Sequence, residues 1–415
     1  MTQSTTLREL ESRTVFAEWS QLHDSAARDL GRAALVRDAL GLTADRLPPI
    51  LGIVGSKGKG TTTIHASAVL KAAGLKVGTL QSPGAITNLD RYRIDGVRLT
   101  PKAYAEALER TDAARRTLPA PDGSYLSPTG FFTLSGIAAF AAADCDVIVA
   151  EAGLGGRSDE LSLLPLTGLG MSQVFLEHTA ILGDTIGQIA ADKAGAAGPT
   201  TRFIDHLAQS EEAEFAIRAR GAQLGATVRR IDLPTPEQSA WLPGGMNARN
   251  ALLGATAAND LLSAMGLSPL DERALAQAIA TVRNPGRLST HETASGAVLV
   301  DSAVSRDGLR AAIEAAPQLI GGAPDRIIVS IGVDKDLDGF IAELAPHAHD
   351  DPERVVFIDL PGTHLHYPER GAWPYAWAGI EALGDLLTGR VLAVGTVSFT
   401  SAVLGALDVD TDRIF

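Results

Sequence analysis

Cysteine is nearly absent from this 415-residue chain. The single residue, Cys145, excludes an intrachain disulfide framework. It sits in the apolar run Cys145-Asp146-Val147-Ile148-Val149-Ala150, where it reads as a small buried residue rather than a nucleophile. Positive charge is also in deficit: 36 Lys and Arg stand against 49 Asp and Glu, a net charge of -13. That balance argues against a nucleic-acid partner, whose footprint is a basic patch. A phosphate-binding cleft can still be positive inside an acidic protein. No stretch approaches the ~18 uninterrupted apolar residues of a membrane span, so no membrane partner is expected. The start, Met1-Thr2-Gln3-Ser4-Thr5-Thr6, leads into charged residues rather than an apolar signal core, and the cytoplasm is the expected location. There is no internal repeat and no long low-complexity tract.

What is present suits a globular protein of two or three domains, with 45% hydrophobic and 20% charged residues. Residues up to about Leu47 read as helical, with Asp29-Leu30-Gly31-Arg32 opening an apolar-periodic segment to Leu40. Pro48-Pro49 break it. Ile50–Val54 reads as a strand, Thr61–Ala73 as a helix and Lys76–Leu80 as the next strand, a unit that implies a parallel sheet. Cys145–Ala150 is a further buried strand, ending in Glu151. Val174-Phe175-Leu176 is another candidate, ending at Glu177-His178. Open α/β sheets place ligands at such carboxyl ends. Asn247–Met265 reads as a helix. After Pro285-Gly286-Arg287, strands Ala297–Val300, Arg326–Ile331, Val355–Ile358 and Val391–Val394 alternate with helices. The expectation is a P-loop α/β domain with a mostly parallel sheet over residues 1–287, and a smaller Rossmann-like α/β domain over 288–415.

The strongest local signal is Gly55-Ser56-Lys57-Gly58-Lys59-Gly60-Thr61 between a strand and a helix. Backbone N–H groups of such a turn are expected to point inward and cradle phosphate oxygens, helped by the partial positive charge of the helix start. Lys59 can reach the β- and γ-phosphates, and the Thr61 hydroxyl is placed for Mg²⁺. The common G-x-x-x-x-G-K-[ST] form is not met: Ile53 stands at the first glycine position, and Gly60 follows the lysine.

This variant resembles the phosphate loop of the Mur ligase superfamily, in particular folylpolyglutamate synthase and dihydrofolate synthase. The resemblance continues in order along the chain. Ser82-Pro83 and Asp90-Arg91-Tyr92-Arg93-Ile94-Asp95-Gly96 look like "SPH…ERIRING". Glu151-Ala152-Gly153-Leu154-Gly155-Gly156-Arg157-Ser158-Asp159 looks like "EVGLGGRLD". Glu177–Thr185 looks like "DHTEFLGDT", and Ala191-Asp192-Lys193-Ala194-Gly195 like "REKAG". Arg249-Asn250-Ala251, Pro285-Gly286-Arg287 and Asp334-Lys335-Asp336 follow, so the matches run from about residue 29 to about 408.

The resemblance implies an ATP-dependent ligase that turns a carboxylate into an acyl phosphate and joins it to an amine, with small-molecule acid and amino-acid substrates. It implies two Mg²⁺ ions: Thr61 and Glu151 would hold one, and His178 the second. Lys193 would be carbamylated by CO₂ to a carboxylate-like metal ligand, which requires a neutral amine and so a depressed pKa; the bland alternative is a helix-surface lysine. Arg287 would reach phosphates as a bidentate donor, Asn250 would bond the adenine, and Asp301 would open a loop that closes over ATP. The site would lie between the domains, which would close on ATP, and a monomer is expected.

The chain also departs from the family. In place of "DGAHNP", whose histidine helps bind the incoming glutamate, stands Asp301-Ser302-Ala303-Val304-Ser305-Arg306. Val304 cannot make the histidine's contact, and Arg306 is a candidate replacement. Gly84 replaces the histidine of "SPH", and Lys57 replaces an asparagine of the loop. Three readings follow: a specialised ligase with altered substrates, a housekeeping folate enzyme, or a silent ATP-binding regulatory subunit. His347, His349, His364 and His366 lie among Pro346, Asp350, Pro361 and Gly362 and read as solvated loops rather than a metal site. Trp373, Tyr375 and Trp377 would either line a pocket or pack the second domain.

Overall fold

Ile50–Val54 is wholly buried, which is why it is apolar or glycine at every position: a central parallel strand has no solvent face. The computed structural model describes every residue except 1–2, 22–26, 29, 121–123, 350 and 362–364. Asp29, expected to open a helix, therefore lies outside the described residues. The chain forms two units: residues 1–84, 89–282 and 412–415, and residues 85–88 with 283–411.

In the first unit, helices α1 (Gln3–Arg13) and α2 (Leu30–Ala39) precede β1 (Ile50–Val54), α3 (Lys59–Ala72), β2 (Val77–Leu80), β3 (Tyr92–Ile94) and β4 (Val97–Arg98). Then come α4 (Pro101–Arg116), α5 (Pro128–Ala142), β5 (Val147–Glu151), β6 (Leu166–Met171), α6 (Ile186–Ala194) and β7 (Phe203–Leu207). The unit continues through α7 (Glu211–Leu224), β8 (Thr227–Ile231), α8 (Met246–Ala264) and α9 (Glu272–Ala280). The sheet order is β8-β7-β6-β1-β5-β2-β3-β4. It is parallel from β8 to β2, and β3 and β4 are antiparallel at its edge. Alternate residues of the central strands enter opposite cores. Ile50, Val54 and Ile148 pack with Phe131 and Ile137 of α5. Leu51, Ile53 and Val149 pack with Val69 of α3 and Leu253 of α8. Gly254 lets α3 and α8 approach, since a Cβ there would lie 2.5 Å from the Thr62 carbonyl oxygen.

One expectation about strands needs correction. Val174-Phe175-Leu176 is not a strand. The Val174 and Phe175 N–H groups are taken by the Gln209 and Ser56 side chains rather than by a neighbouring strand. The strand is β6, eight residues upstream in its start, and its Gly168 and Gly170 hid it. Glycine is poor evidence for a strand, but a Cβ on Gly168 would sit 2.1 Å from the Phe203 ring. Cys145 is buried ahead of β5, and burial pushes its thiol up to about 11. Among the described residues no helix is long and apolar enough to cross a membrane.

The second unit runs β9 (Ser289–Thr293), β10 (Gly296–Asp301), α10 (Arg306–Leu319), β11 (Arg326–Ser330), α11 (Leu337–Ala348), β12 (Val355–Asp359), β13 (Ala376–Gly379), β14 (Val391–Gly395) and α12 (Val397–Ala406). Its order is β9-β10-β14-β11-β12-β13, parallel except for the β9–β10 hairpin. His347 and His349 do not lie in loops: His347 is in α11 with Pro346, and His349 caps it. His364, Asp350 and Gly362 lie outside the described residues. Among those described, no three His, Cys, Asp or Glu side chains gather to hold a metal. Trp373 and Trp377 are packing residues, with ring centroids 4.9 and 4.3 Å from Phe357, and the Tyr375 hydroxyl donates to the Ile341 carbonyl.

Candidate active site

Strand β1 delivers the chain to Gly55 (φ 141°), and helix α3 begins just after Gly58 (φ 89°). Both glycines are required by close approach. A Cβ on Gly55 would lie 2.0 Å from Ser172 Oγ, and one on Gly58 2.2 Å from Asn250 Oδ1. The loop is anchored from behind: Ser172 Oγ donates to the Lys57 carbonyl at 2.6 Å, and the Gln173 carbonyl accepts from the Ser56 N–H at 2.9 Å. Not every loop N–H points inward, then. Ser56 is committed to Gln173, and the donors left by helix geometry include those of Gly58, Lys59 and Gly60. The first intrahelical bond is donated by Thr62 to Gly58.

Two ammonium groups meet at this loop. Lys59 Nζ and Lys193 Nζ each donate to the Gly55 carbonyl at 3.1 Å. Lys193 is 1% exposed and forms an ion pair with Glu177 at 2.9 Å. Burial lowers its pKa, the Glu177 carboxylate works against that, and Lys59 adds to the lowering. For Glu177, burial works upward but is outweighed by Lys193, Ser56 and Lys59, so its carboxyl sits below the usual range. Glu177, the acid that opens the matched segment Glu177–Thr185, is the partner of Lys193, a role that the motif alone does not assign to it. His178 is exposed and starts the short turn Thr179–Leu182 from the left-handed region, φ 46°.

Lys193 is aimed by the segment after β5. Asp159, fully buried, accepts from the Gly153 and Leu154 N–H groups at 3.0 Å. Asp192 Oδ1 accepts from Gly156 at 2.8 Å, and its carbonyl accepts from the Arg157 N–H. These bonds lock α6 against the glycine-rich turn. A Cβ on Gly156 would lie 2.2 Å from the Lys193 carbonyl oxygen. Gly156→Ala is therefore expected to displace α6, lowering stability by about 1–3 kcal/mol and weakening nucleotide binding, measured by thermal melting and ATP titration.

Glu151, 4% exposed, ends β5 and accepts the Ser82 N–H at 3.0 Å. Its Oε2 stands 3.5 Å from where a Cβ on Gly60 would be, over the first turn of α3. Thr61, 2% exposed, follows, with Oγ1 3.4 Å from Asn247 Oδ1. A carboxylate and a hydroxyl at a helix start are hard oxygen donors of the kind Mg²⁺ takes. Asn250 Nδ2 donates to the Met246 carbonyl and its amide packs on Gly58. The second unit brings Arg287 and Asp301 together: Asp301 Oδ2 accepts the Leu288 N–H at 2.8 Å and so orders the turn after Arg287. Arg306 is already engaged, its Nε 3.0 Å from Glu343, which Arg310 shares.

A strand, glycine loop and helix start, faced by a carboxylate at the end of the adjacent parallel strand, define a P-loop α/β protein, here with a second Rossmann-like unit. No protein-family model matches the chain. It is 26% identical over 426 residues to a dihydrofolate synthase/folylpolyglutamate synthase of Mycobacterium tuberculosis, covering 93% of this chain and 82% of that protein. It is 36% identical over 189 residues to a probable bifunctional folylpolyglutamate synthase/dihydropteroate synthase of Halobacterium salinarum, covering 44% of this chain and only 23% of that protein's length. An FPGS–AMPPCP complex superposes with a TM-score of 0.78 at 22% identity, over 98% of this chain and 100% of that one. Relatives and structural neighbours are thus consistently folylpolyglutamate synthases of the Mur ligase superfamily, as the motifs indicated.

Proposed function

We propose that this chain is an ATP-dependent ligase of the folylpolyglutamate synthase kind, joining a small-molecule carboxylate to an amino group through an acyl phosphate. The observation that carries the reading is the Lys59 ammonium held at the Gly55 carbonyl beside a helix start, with the Glu151 carboxylate over the first turn of that helix. Such a site neutralises phosphate charge and positions the transferred group, which is most of what phosphoryl transfer asks of a protein. The first-turn N–H groups and Lys59 would take phosphate oxygens, and Asn250 would lie on the nucleotide side of Gly58. Thr61 and Glu151 would hold a Mg²⁺, which supplies charge neutralisation between the phosphates when bound. His178 would contribute to a second ion.

Lys193 would serve as a carbamate: its lowered pKa favours the neutral amine that attacks CO₂. The N–C bond would form at Nζ with loss of a proton, and Glu177 at 2.9 Å is positioned to receive it. Intact mass of the native protein tests this, with an increment equal to CO₂ expected and a bare amine overturning it. Substrate contacts are proposed to be specialised. Val304 has no hydrogen bond to offer, and Arg306 is occupied by Glu343, so a glutamate acceptor would not be read here as in the family. The test is ADP release with Mg-ATP, bicarbonate and dihydropteroate or tetrahydrofolate, with glutamate and then a panel of amino acids. Release with another amine, or only with a non-folate acid, is expected. Turnover on folates and glutamate at about 1 s⁻¹ or more would overturn the specialised reading while leaving the ligase reading intact.

A further inference from the structure

A groove of about 960 Å³ runs along α6 and α7, on the first unit and apart from the phosphate loop. Its charges are sorted by end. At the start of both helices stand Glu211 and Glu212, with Glu212 Oε2 3.3 Å from where a Cβ on Gly187 would lie. At the far end stand Arg157, whose Nε is 3.0 Å from the corresponding point on Gly195, and Arg220, which donates to the Ala197 carbonyl. Between them the surface is apolar, with Ala216 and Phe215, the latter 69% exposed.

Among the described residues these four charged side chains have no counter-charge paired with them. Among the described residues Arg157, Glu211 and Glu212 form no ion pair and no side-chain hydrogen bond, and Arg220 meets only the Ala197 carbonyl and Gln223. Its buried Nε has no partner. The contrast is Glu214 on the same helix, which is paired with both Arg218 and Arg230. Helix macrodipoles favour acids at one end and arginines at the other, but they account for neither the groove nor the exposed phenylalanine.

From Glu212 to Arg220 the helix rises about 12 Å. The charges of a free amino acid are too close together to span that distance, whereas an extended chain of about three residues reaches it, at ~3.3–3.6 Å per residue. We propose that this groove binds a short zwitterionic peptide, with its amino group at Glu211 and Glu212, its carboxylate at Arg157 and Arg220, and an apolar side chain on Phe215. Such a ligand would tie together both ends of α6, the helix that carries Lys193.

The test is NMR or calorimetric titration of the full chain with Ala-Leu-Ala, its N-acetylated form and its C-amidated form. Saturable binding with a Kd of about 1 mM or tighter is expected for the free peptide, weakened about tenfold or more by either cap. Arg157→Gln and Glu212→Gln, both at exposed positions, should each weaken it similarly with an unchanged melting temperature. No saturable binding up to about 10 mM overturns the proposal. So does binding that neither cap nor either variant alters.

Discussion

Lys193→Ala is expected to lower ligase turnover by about 10²–10³-fold or more, the cost of removing one positioned group from a charge-stabilising site. It should also reduce stability by about 3 kcal/mol, the lower end for breaking a buried ion pair, because Glu177 keeps 24% exposure. The two effects separate in a double variant. Lys193→Ala with Glu177→Ala removes the unpaired carboxylate and should recover most of the melting temperature, while turnover stays low. If turnover returned together with stability, Lys193 would be a packing element only, and its proposed part in the chemistry would fall.

The second large effect concerns a pair outside that site. Asp205 in β7 is fully buried, and neither carboxylate oxygen has a hydrogen-bond partner. It faces Gly170 of β6 on one side and Arg229 of β8 on the other, with Asp260 of α8 beyond. Arg229 pairs with Asp260 at 3.1 Å. Burial raises the Asp205 pKa most, the Asp260 carboxylate raises it further, and Arg229 only partly offsets them. The folded state therefore holds a proton that the unfolded chain, with an aspartate near 3.9, has released. Its contribution is a penalty that is absent below about pH 4 and grows as pH rises toward the raised folded value. Asp205→Asn mimics the protonated acid. It should leave stability little changed at pH 4 and raise it by at least about 1 kcal/mol near pH 8, since each unit by which folding raises a pKa is worth about 1.4 kcal/mol. Denaturant unfolding at the two pH values checks this. Equal effects at both would mean that Asp205 does not titrate between them.

Much of this protein is legible in its residues alone, for local reasons. A strand, a glycine loop and a helix start occupy one short stretch, so Gly55–Thr61 announces both its shape and its chemistry. The strands of the second unit, Gly296–Asp301, Arg326–Ser330, Val355–Asp359 and Val391–Gly395, appear within one residue of the expected ends, because strands buried on both faces must be continuously apolar. Glu151 is marked by its place at the end of such a strand.

What only the tertiary structure decided involves partners far apart in the chain. Lys193 meets Glu177 and the Gly55 carbonyl because α6 is locked onto the turn after β5. Arg306, which sequence offered as a free fork for a carboxylate, is held by Glu343 one helix away. The strand Leu166–Met171 is hidden by glycines whose purpose, room for the Phe203 ring, exists only once β7 lies beside it. His347 joins α11 rather than a loop, since packing of Phe340 and Leu344 carries that helix through Pro346. Residue types and short spacings settle what a segment can form and which chemistry it can bear. Which charges neutralise one another is settled by long-range packing, because a carboxylate twenty or two hundred residues away competes on equal terms with a neighbour once the chain has folded.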